Sequence, residues 1–161
     1  MLKEYDKAWA KYQERLSLLP LPLTTWEFYN LPRSEQKEFN HVQEKWVQKI
    51  NYLEITKKKK VTILITDANF KIVFVSSNFV KMTGYDVKEV IGQSPKMFQG
   101  KATSIQTRKK IRMAIEKRIP FQESILNYKK DGTTYLCKIE AFPKFDKNGN
   151  FINYIAFESA A

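Results

Sequence analysis

Gly92-Gln93-Ser94-Pro95-Lys96-Met97-Phe98-Gln99-Gly100 is the stretch on which the reading of this chain turns. Met82-Thr83-Gly84-Tyr85 precedes it and Leu126-Asn127-Tyr128-Lys129-Lys130-Asp131-Gly132 follows it. Outward from it, short strands alternate with short helices. Val61 to Thr66 is β-rich, Asp67-Ala68-Asn69 reads as a turn, and Ile72 to Val75 as a second strand. Short helical segments are expected at Asn78–Met82, Asp86–Ile91 and Pro95–Phe98. A longer helix should run from about Thr103 to Arg118, capped by Thr103 or Ser104 and ended before Pro120. Strands recur at Gln122–Tyr128, Thr133–Phe142 and Phe151–Phe157, separated by Lys130-Asp131-Gly132 and Asp146-Lys147-Asn148-Gly149, which carry hairpin chemistry. Two strands, a helical crossover and three hairpin-linked strands predict an antiparallel α+β sheet.

Residues 1–60 read differently, as a helical extension before a domain at 61–161. Tyr5, Trp9, Tyr12, Leu16 and Leu19 recur at steps of four and three, an amphipathic helix with an aromatic stripe. Pro20 and Pro22 stop it, and a short turn carries Trp26, Phe28 and Tyr29. After Pro32, Ser34 is a candidate N-cap, and Phe39, Val42, Trp46, Ile50 and Leu53 then line one face of a second long helix. Stripes of this kind must cover the sheet, pack on each other, or meet a second subunit.

At 161 residues, with 43% hydrophobic and 14% aromatic content, the chain has enough apolar surface for a packed core. No apolar run approaches the roughly 20 residues of a membrane span, and no signal peptide is visible. The single cysteine, Cys137, rules out an internal disulfide and points to the cytoplasm. A net charge of +11 admits nucleic acid or an anionic membrane surface as a partner. The basic residues are spread out, apart from Lys57-Lys58-Lys59-Lys60 and Arg108-Lys109-Lys110, and neither cluster sits in a nucleic-acid-binding motif. His41 and Cys137 cannot build a metal site by themselves. No phosphate loop, nucleophile–base pair or catalytic carboxylate pair is present, so an enzyme is not expected.

The three quoted segments, with Asp67, Glu89-Val90-Ile91-Gly92 and Tyr154-Ile155-Ala156-Phe157, resemble in order and spacing the PAS sensory domains, and within them the light-oxygen-voltage (LOV) branch. The resemblance covers about Val61 to Ser159. It implies a five-stranded antiparallel sheet with helices over one face and a ligand cavity between. In that branch a cysteine forms a photoadduct with flavin mononucleotide (FMN), and here its position is Pro95, which has no thiol.

The resemblance also implies a cofactor-binding set. Gln99 and Asn127 keep the family's residues, Arg112 lies where an arginine contacts the flavin phosphate, and Lys96 replaces a second arginine. Ser94 and Cys137 stand where asparagines face the ring, and Glu158 where a glutamine relays the light signal. Losing asparagine partners leaves polar ring atoms unsatisfied, at about 1–3 kcal/mol each, and weakens FMN binding by roughly ten- to a thousandfold or more. Phosphate contacts from Lys96 and Arg112 act in the other direction. Gln99 and Arg112 have surface roles open to them, and Asn127 has local bonding of its own turn open to it. Cys137, in a strand with Tyr135 and Ile139 on the same face, is expected as a buried structural thiol. Glu158 has two placements open: facing the cavity with a raised pKa, or paired with Lys96 or solvent near the chain end.

The expected function is a sensory or regulatory module that binds a small ligand, or mediates protein–protein signalling, without cysteinyl photochemistry. One alternative is an FMN photoreceptor acting by flavin reduction, with Trp26 and Tyr135 as electron donors. Another is a basic nucleic-acid- or membrane-surface-binding protein. A homodimer through the N-terminal helices or the sheet face is expected. Because the chain ends shortly after its last strand, a signalling partner in trans is expected as well.

Overall fold

The computed structural model describes residues 34–58 and 61–161. The first aromatic stripe, the proline break and the turn carrying Trp26 lie outside the described residues. Glu35–Ala161 forms one compact unit.

The sheet has five strands, β1 (Thr62–Thr66), β2 (Ile72–Val75), β3 (Phe121–Tyr128), β4 (Thr134–Phe145) and β5 (Phe151–Ala160). Their order is β2-β1-β5-β4-β3, and every neighbouring pair is antiparallel. This is the PAS-like architecture expected from the sequence. Both β4 and β5 run past their expected ends. Pro143 does not stop β4, because β3 has already ended opposite Ala141 and Pro143 pairs only with Tyr154 of β5. The extra length of β5 brings Glu158 into the ladder, opposite Ile139 on one side and Thr62 on the other.

Five helical pieces precede or cross the sheet: α1 (34–42), α2 (Tyr52–Lys58), α3 (Asn78–Thr83), α4 (Val87–Val90) and α5 (Ile105–Glu116), with a 3-10 turn at Pro95–Phe98. Asp86 caps α4 in a reciprocal box with Glu89. Ser104 caps α5 by accepting from the Thr107 N–H. Thr103, the other cap candidate, is buried instead. Its hydroxyl donates to the Leu126 carbonyl at 2.7 Å and accepts from the Gly100 N–H at 2.9 Å.

The second long helix expected from Phe39 to Leu53 is broken. Its helical part stops at residue 42, and the chain runs irregularly to α2. The cause is Gln43, a polar residue only 4% exposed. Its amide oxygen accepts from the Ile50 N–H at 2.7 Å, and its amide nitrogen donates to the Ile50 carbonyl at 3.0 Å and to Asn40 Oδ1 at 2.8 Å. One side chain thus closes a loop that supplies both backbone bonds of Ile50, which a continuing helix would have made internally. Leu53, expected on the apolar face, is 37% exposed.

That loop lets the stripe cover the outer face of the sheet. Phe39, Trp46 and Tyr52 pack with Ile63, Ile65, Phe74 and Ile155 into one buried cluster. Phe39 meets Phe74 edge-on with centroids 5.5 Å apart, and Tyr52 meets Phe74 at 90°. Strand β1 is therefore buried on both faces, with Ile63 and Ile65 under this cover and Leu64 and Thr66 on the other side. Of the fates open to the second stripe, the chain's own sheet is the one realised, so Phe39 and Trp46 are not available to a second subunit.

A polar strut crosses the same interface. The Trp46 indole N–H donates to Asn153 Oδ1 at 2.7 Å, and Asn153 Nδ2 donates to the Thr66 carbonyl at 2.9 Å, both buried. Trp46→Phe keeps the apolar bulk but strands Asn153 Oδ1. It should lower the stability of the fold by about 1–3 kcal/mol, read as an earlier urea midpoint at unchanged slope. An unaltered midpoint would show that the strut adds nothing.

Candidate ligand site

The inner face of the sheet and the crossover helices enclose a cavity of about 700 Å³, inside the range of small-molecule pockets. Period-two alternation supplies its floor: Leu64 and Thr66 from β1, Tyr154, Ala156 and Glu158 from β5, Ile139 and Ala141 from β4, Ile125 and Asn127 from β3. The roof is Ser94–Lys96, Phe98, Gln99 and the inward face of α5, with Arg108, Ile111, Arg112 and Ile115. Asn69, Phe70 and Lys71 form one end.

Six of the seven residues singled out from the sequence line this cavity: Ser94, Lys96, Gln99, Arg112, Asn127 and Glu158. Cys137 does not. It is fully buried beside the cavity among Ile125, Tyr135, Met82, Ile111 and Ile139, in the structural role its strand position suggested. Pro95 is on the wall, so the chain's single cysteine is absent from the lining and a proline stands in the roof. Proline suits that place. It opens the 3-10 turn, where its fixed φ is preorganised and no N–H is required. Ser94 is the cap of this turn, its hydroxyl turned to the Lys96 N–H at 3.4 Å. That contact uses an acceptor lone pair of the hydroxyl and not its O–H donor.

Glu158 faces the cavity and is 7% exposed. Among the described residues it has no cationic partner, so the pairing with Lys96 is not made, and Cys137 Sγ donates to its Oε2 at 3.8 Å. Burial disfavours the charged carboxylate and raises its pKa from 4.5 to about 7, and the thiol contact opposes this only in part. The Cys137 thiol is pushed up in turn, first by burial and then by the Glu158 charge, which keeps it an unreactive thiol. Tyr135, also pushed up by burial, lies across the ladder from Asn127, whose side chain it meets. Asn127, Tyr135, Cys137 and Glu158 make a polar row with both ends on the cavity wall.

Three wall residues escaped the sequence reading as site residues. Thr66 is 4% exposed and its hydroxyl has no hydrogen-bond partner. Arg108 donates from Nη2 to the Gly100 carbonyl at 2.6 Å, while its Nε is buried and unpartnered. Alternation with Leu64 would have placed Thr66 on the floor, and the four-residue step to Arg112 would have placed Arg108 on the roof. Tyr154 is a third, its hydroxyl donating to the Ala114 and Ile119 carbonyls and its pKa raised by burial to about 12.

The wall therefore combines an apolar middle, cations from Lys71, Lys96, Arg108 and Arg112, and a neutral-leaning acid in the floor. No cysteine or histidine lines it. The folded chain holds the Glu158 proton up to about pH 7, whereas an unfolded chain releases it near 4.5. The stability that this retained proton represents is complete below pH 4.5 and disappears as pH rises to 7. Glu158→Gln should thus be more stable than the parent above pH 7, by about 3 kcal/mol, with the advantage vanishing near pH 4.5. Urea titrations across that window check it, and a pH-independent difference would contradict the buried carboxyl.

Comparison with known proteins agrees with this geometry. A family model described as PAS domain matches residues 60–158. Protein TWIN LOV 1 of Arabidopsis thaliana is 41% identical over 88 residues, which cover 54% of this chain and 22% of that protein. Phototropin-1A of Oryza sativa subsp. japonica is 34% identical over 100 residues, covering 60% of this chain and 11% of that protein. The chain thus spans only a minor part of either relative. The light-state structure of the blue-light photoreceptor Aureochrome1 LOV aligns with a TM-score of 0.61 at 30% identity, covering 70% of this chain and 89% of that one. With the family model matching well over half of its residues, the chain belongs to the PAS domain family, on its LOV-like branch.

Proposed function

We propose that this chain is a sensory module whose cavity holds a flavin-type ligand, FMN or a relative, without a covalent bond. One observation carries the reading. The buried side-chain atoms without hydrogen-bond partners among the described residues are Thr66 Oγ1 and Arg108 Nε, and both belong to the wall of this one cavity. Buried polar groups are nearly always satisfied, so two unpartnered groups on residues that line the same hollow favour a polar occupant that those side chains turn to meet. The relatives include phototropins and blue-light-activated histidine kinases, and one similar solved structure concerns a flavin analogue in a light-oxygen-voltage domain, which supports a flavin as that ligand.

The residues fit such a group. Lys96 and Arg112 would hold its phosphate, and Gln99 and Asn127 would meet the polar edge of its ring system, with a protonated Glu158 able to donate where a carboxylate could only accept. Bound flavin supplies blue-light absorption and electron-acceptor chemistry. The chain's part is to orient it and exclude water, and, with Pro95 in the roof and Cys137 off the wall, to offer it no thiol. A response to light would then have to use electron transfer, for which Tyr154 on the wall and Tyr135 beside Asn127 are the candidate donors. The state of the cavity would reach the outer face through Thr66, Asn153 and Trp46, and from there a partner protein or a second copy.

A visible spectrum and native mass spectrum of the unheated protein test this. Flavin absorption that is released on denaturation is expected, and blue light should leave no thiol-adduct bleaching. A colourless protein that takes up neither FMN nor riboflavin would overturn the reading.

A further inference from the structure

We infer that Arg108 is a ligand-binding residue that grips an anionic group of the cavity's occupant and selects the phosphorylated over the neutral form of the same molecule. This rests on the cavity being a ligand site, as proposed above. It assigns the anion contact to a residue that family resemblance leaves out.

Arg108 and Arg112 are one helical turn apart on α5, and both reach the cavity wall. Their settings differ. Arg112 is exposed, as is Lys96, so water and salt screen whatever they contact. Arg108 is partly buried, and a less screened cation binds an anion more strongly.

Its guanidinium is also held in place before any ligand arrives. Nη2 donates to the Gly100 carbonyl at 2.6 Å. Gly100 is fixed in turn by Thr103, whose hydroxyl accepts from the Gly100 N–H and donates to the Leu126 carbonyl of β3. The loop has no slack at this point, since a Cβ on Gly100 would come within 2.5 Å of the Tyr128 ring. Arg108 is thus anchored through one nitrogen to a rigid loop on the sheet.

One further donor of the guanidinium, Nε, is unspent. It is closed to solvent and has no partner. Among the described residues no carboxylate lies within ion-pair distance of Arg108, whereas Lys110 and Lys130 have Glu123 and Glu89. The surroundings complete the case: Lys71, Lys96 and Arg112 share the wall, against Glu116 and the buried Glu158. That balance suits an anion such as a phosphate, and a planar fork of donors matches its oxygens.

The test compares the parent, Arg108→Met, Arg108→Lys and Lys109→Met, the last removing one charge from an exposed neighbouring position. FMN and riboflavin, which differ by the phosphate, are titrated into each. Inorganic pyrophosphate, which has no ring, is followed by thermal shift. Arg108→Met should weaken FMN about tenfold or more and leave riboflavin within about twofold of the parent. Arg108→Lys should recover part of the loss, and Lys109→Met should behave as the parent. Pyrophosphate should raise the melting temperature of the parent and of Lys109→Met, and not that of Arg108→Met.

If the parent binds FMN no tighter than riboflavin, or if Arg108→Met weakens both flavins equally, the inference falls and the flavin reading stands. If neither flavin binds but pyrophosphate stabilises in an Arg108-dependent way, the flavin reading falls and the anion grip stands. A pyrophosphate shift that is absent from the parent, or equal in Arg108→Met, overturns the grip.

Discussion

One register decides what this molecule can do. Strand β1 pairs with β5 so that Ile65 lies opposite Ile155 and Leu64 opposite Ala156. Ile63, Ile65, Ile155 and Phe157 go beneath the aromatic cover of Phe39, Trp46 and Tyr52, and Leu64, Thr66, Tyr154, Ala156 and Glu158 go to the cavity. A slip of one residue would drive Thr66 or Glu158, according to which strand moved, under the apolar cover and send Ile65 or Phe157 into the hollow. Because both faces are covered, such a slip would misplace side chains on each side at once. The cavity's polar floor is therefore as firmly specified as its hydrophobic core.

The same economy explains how the roof tolerates a residue without a thiol. Pro95 begins a 3-10 turn capped by Ser94, and this is a backbone position that favours proline. Nothing in the fold asks for a sulfur there. What the fold does leave unfinished is polar: a hydroxyl on β1, a guanidinium nitrogen on α5, and a carboxyl on β5 with only a thiol beside it. Those three groups lie on different elements and are brought together only by the folded sheet and its crossover. A hollow built in this way is suited to a ligand that is apolar in its middle and polar at its edges.

Much of this was legible in the chain itself. The strand Ile72–Val75 and the turn Pro95–Phe98 have the bounds read from the sequence, because turn residues and a proline mark their ends. Six of the seven candidate site residues reach one cavity because their motif positions are tied to sheet alternation. The break after residue 42 was not legible from apolar spacing. Steps of four and three continue through Trp46 and Ile50, and the signal is a polar residue, Gln43, whose amide replaces backbone bonds that only the folded loop reveals. Arg108 was hidden for a related reason. In sequence it belongs to a basic cluster that reads as solvated surface, and only the helix phase turns it inward while Lys109 stays out.

The central claim is that the cavity is a polar-edged ligand site completed without a covalent bond. The most direct measurement is a crystal structure of the protein as purified, with no ligand added. The account predicts continuous density in the hollow, detached from every side chain, with acceptor atoms at hydrogen-bond distance from Thr66 Oγ1 and Arg108 Nε. A hollow closed by rotated side chains, with those two atoms paired to the protein itself, would contradict it.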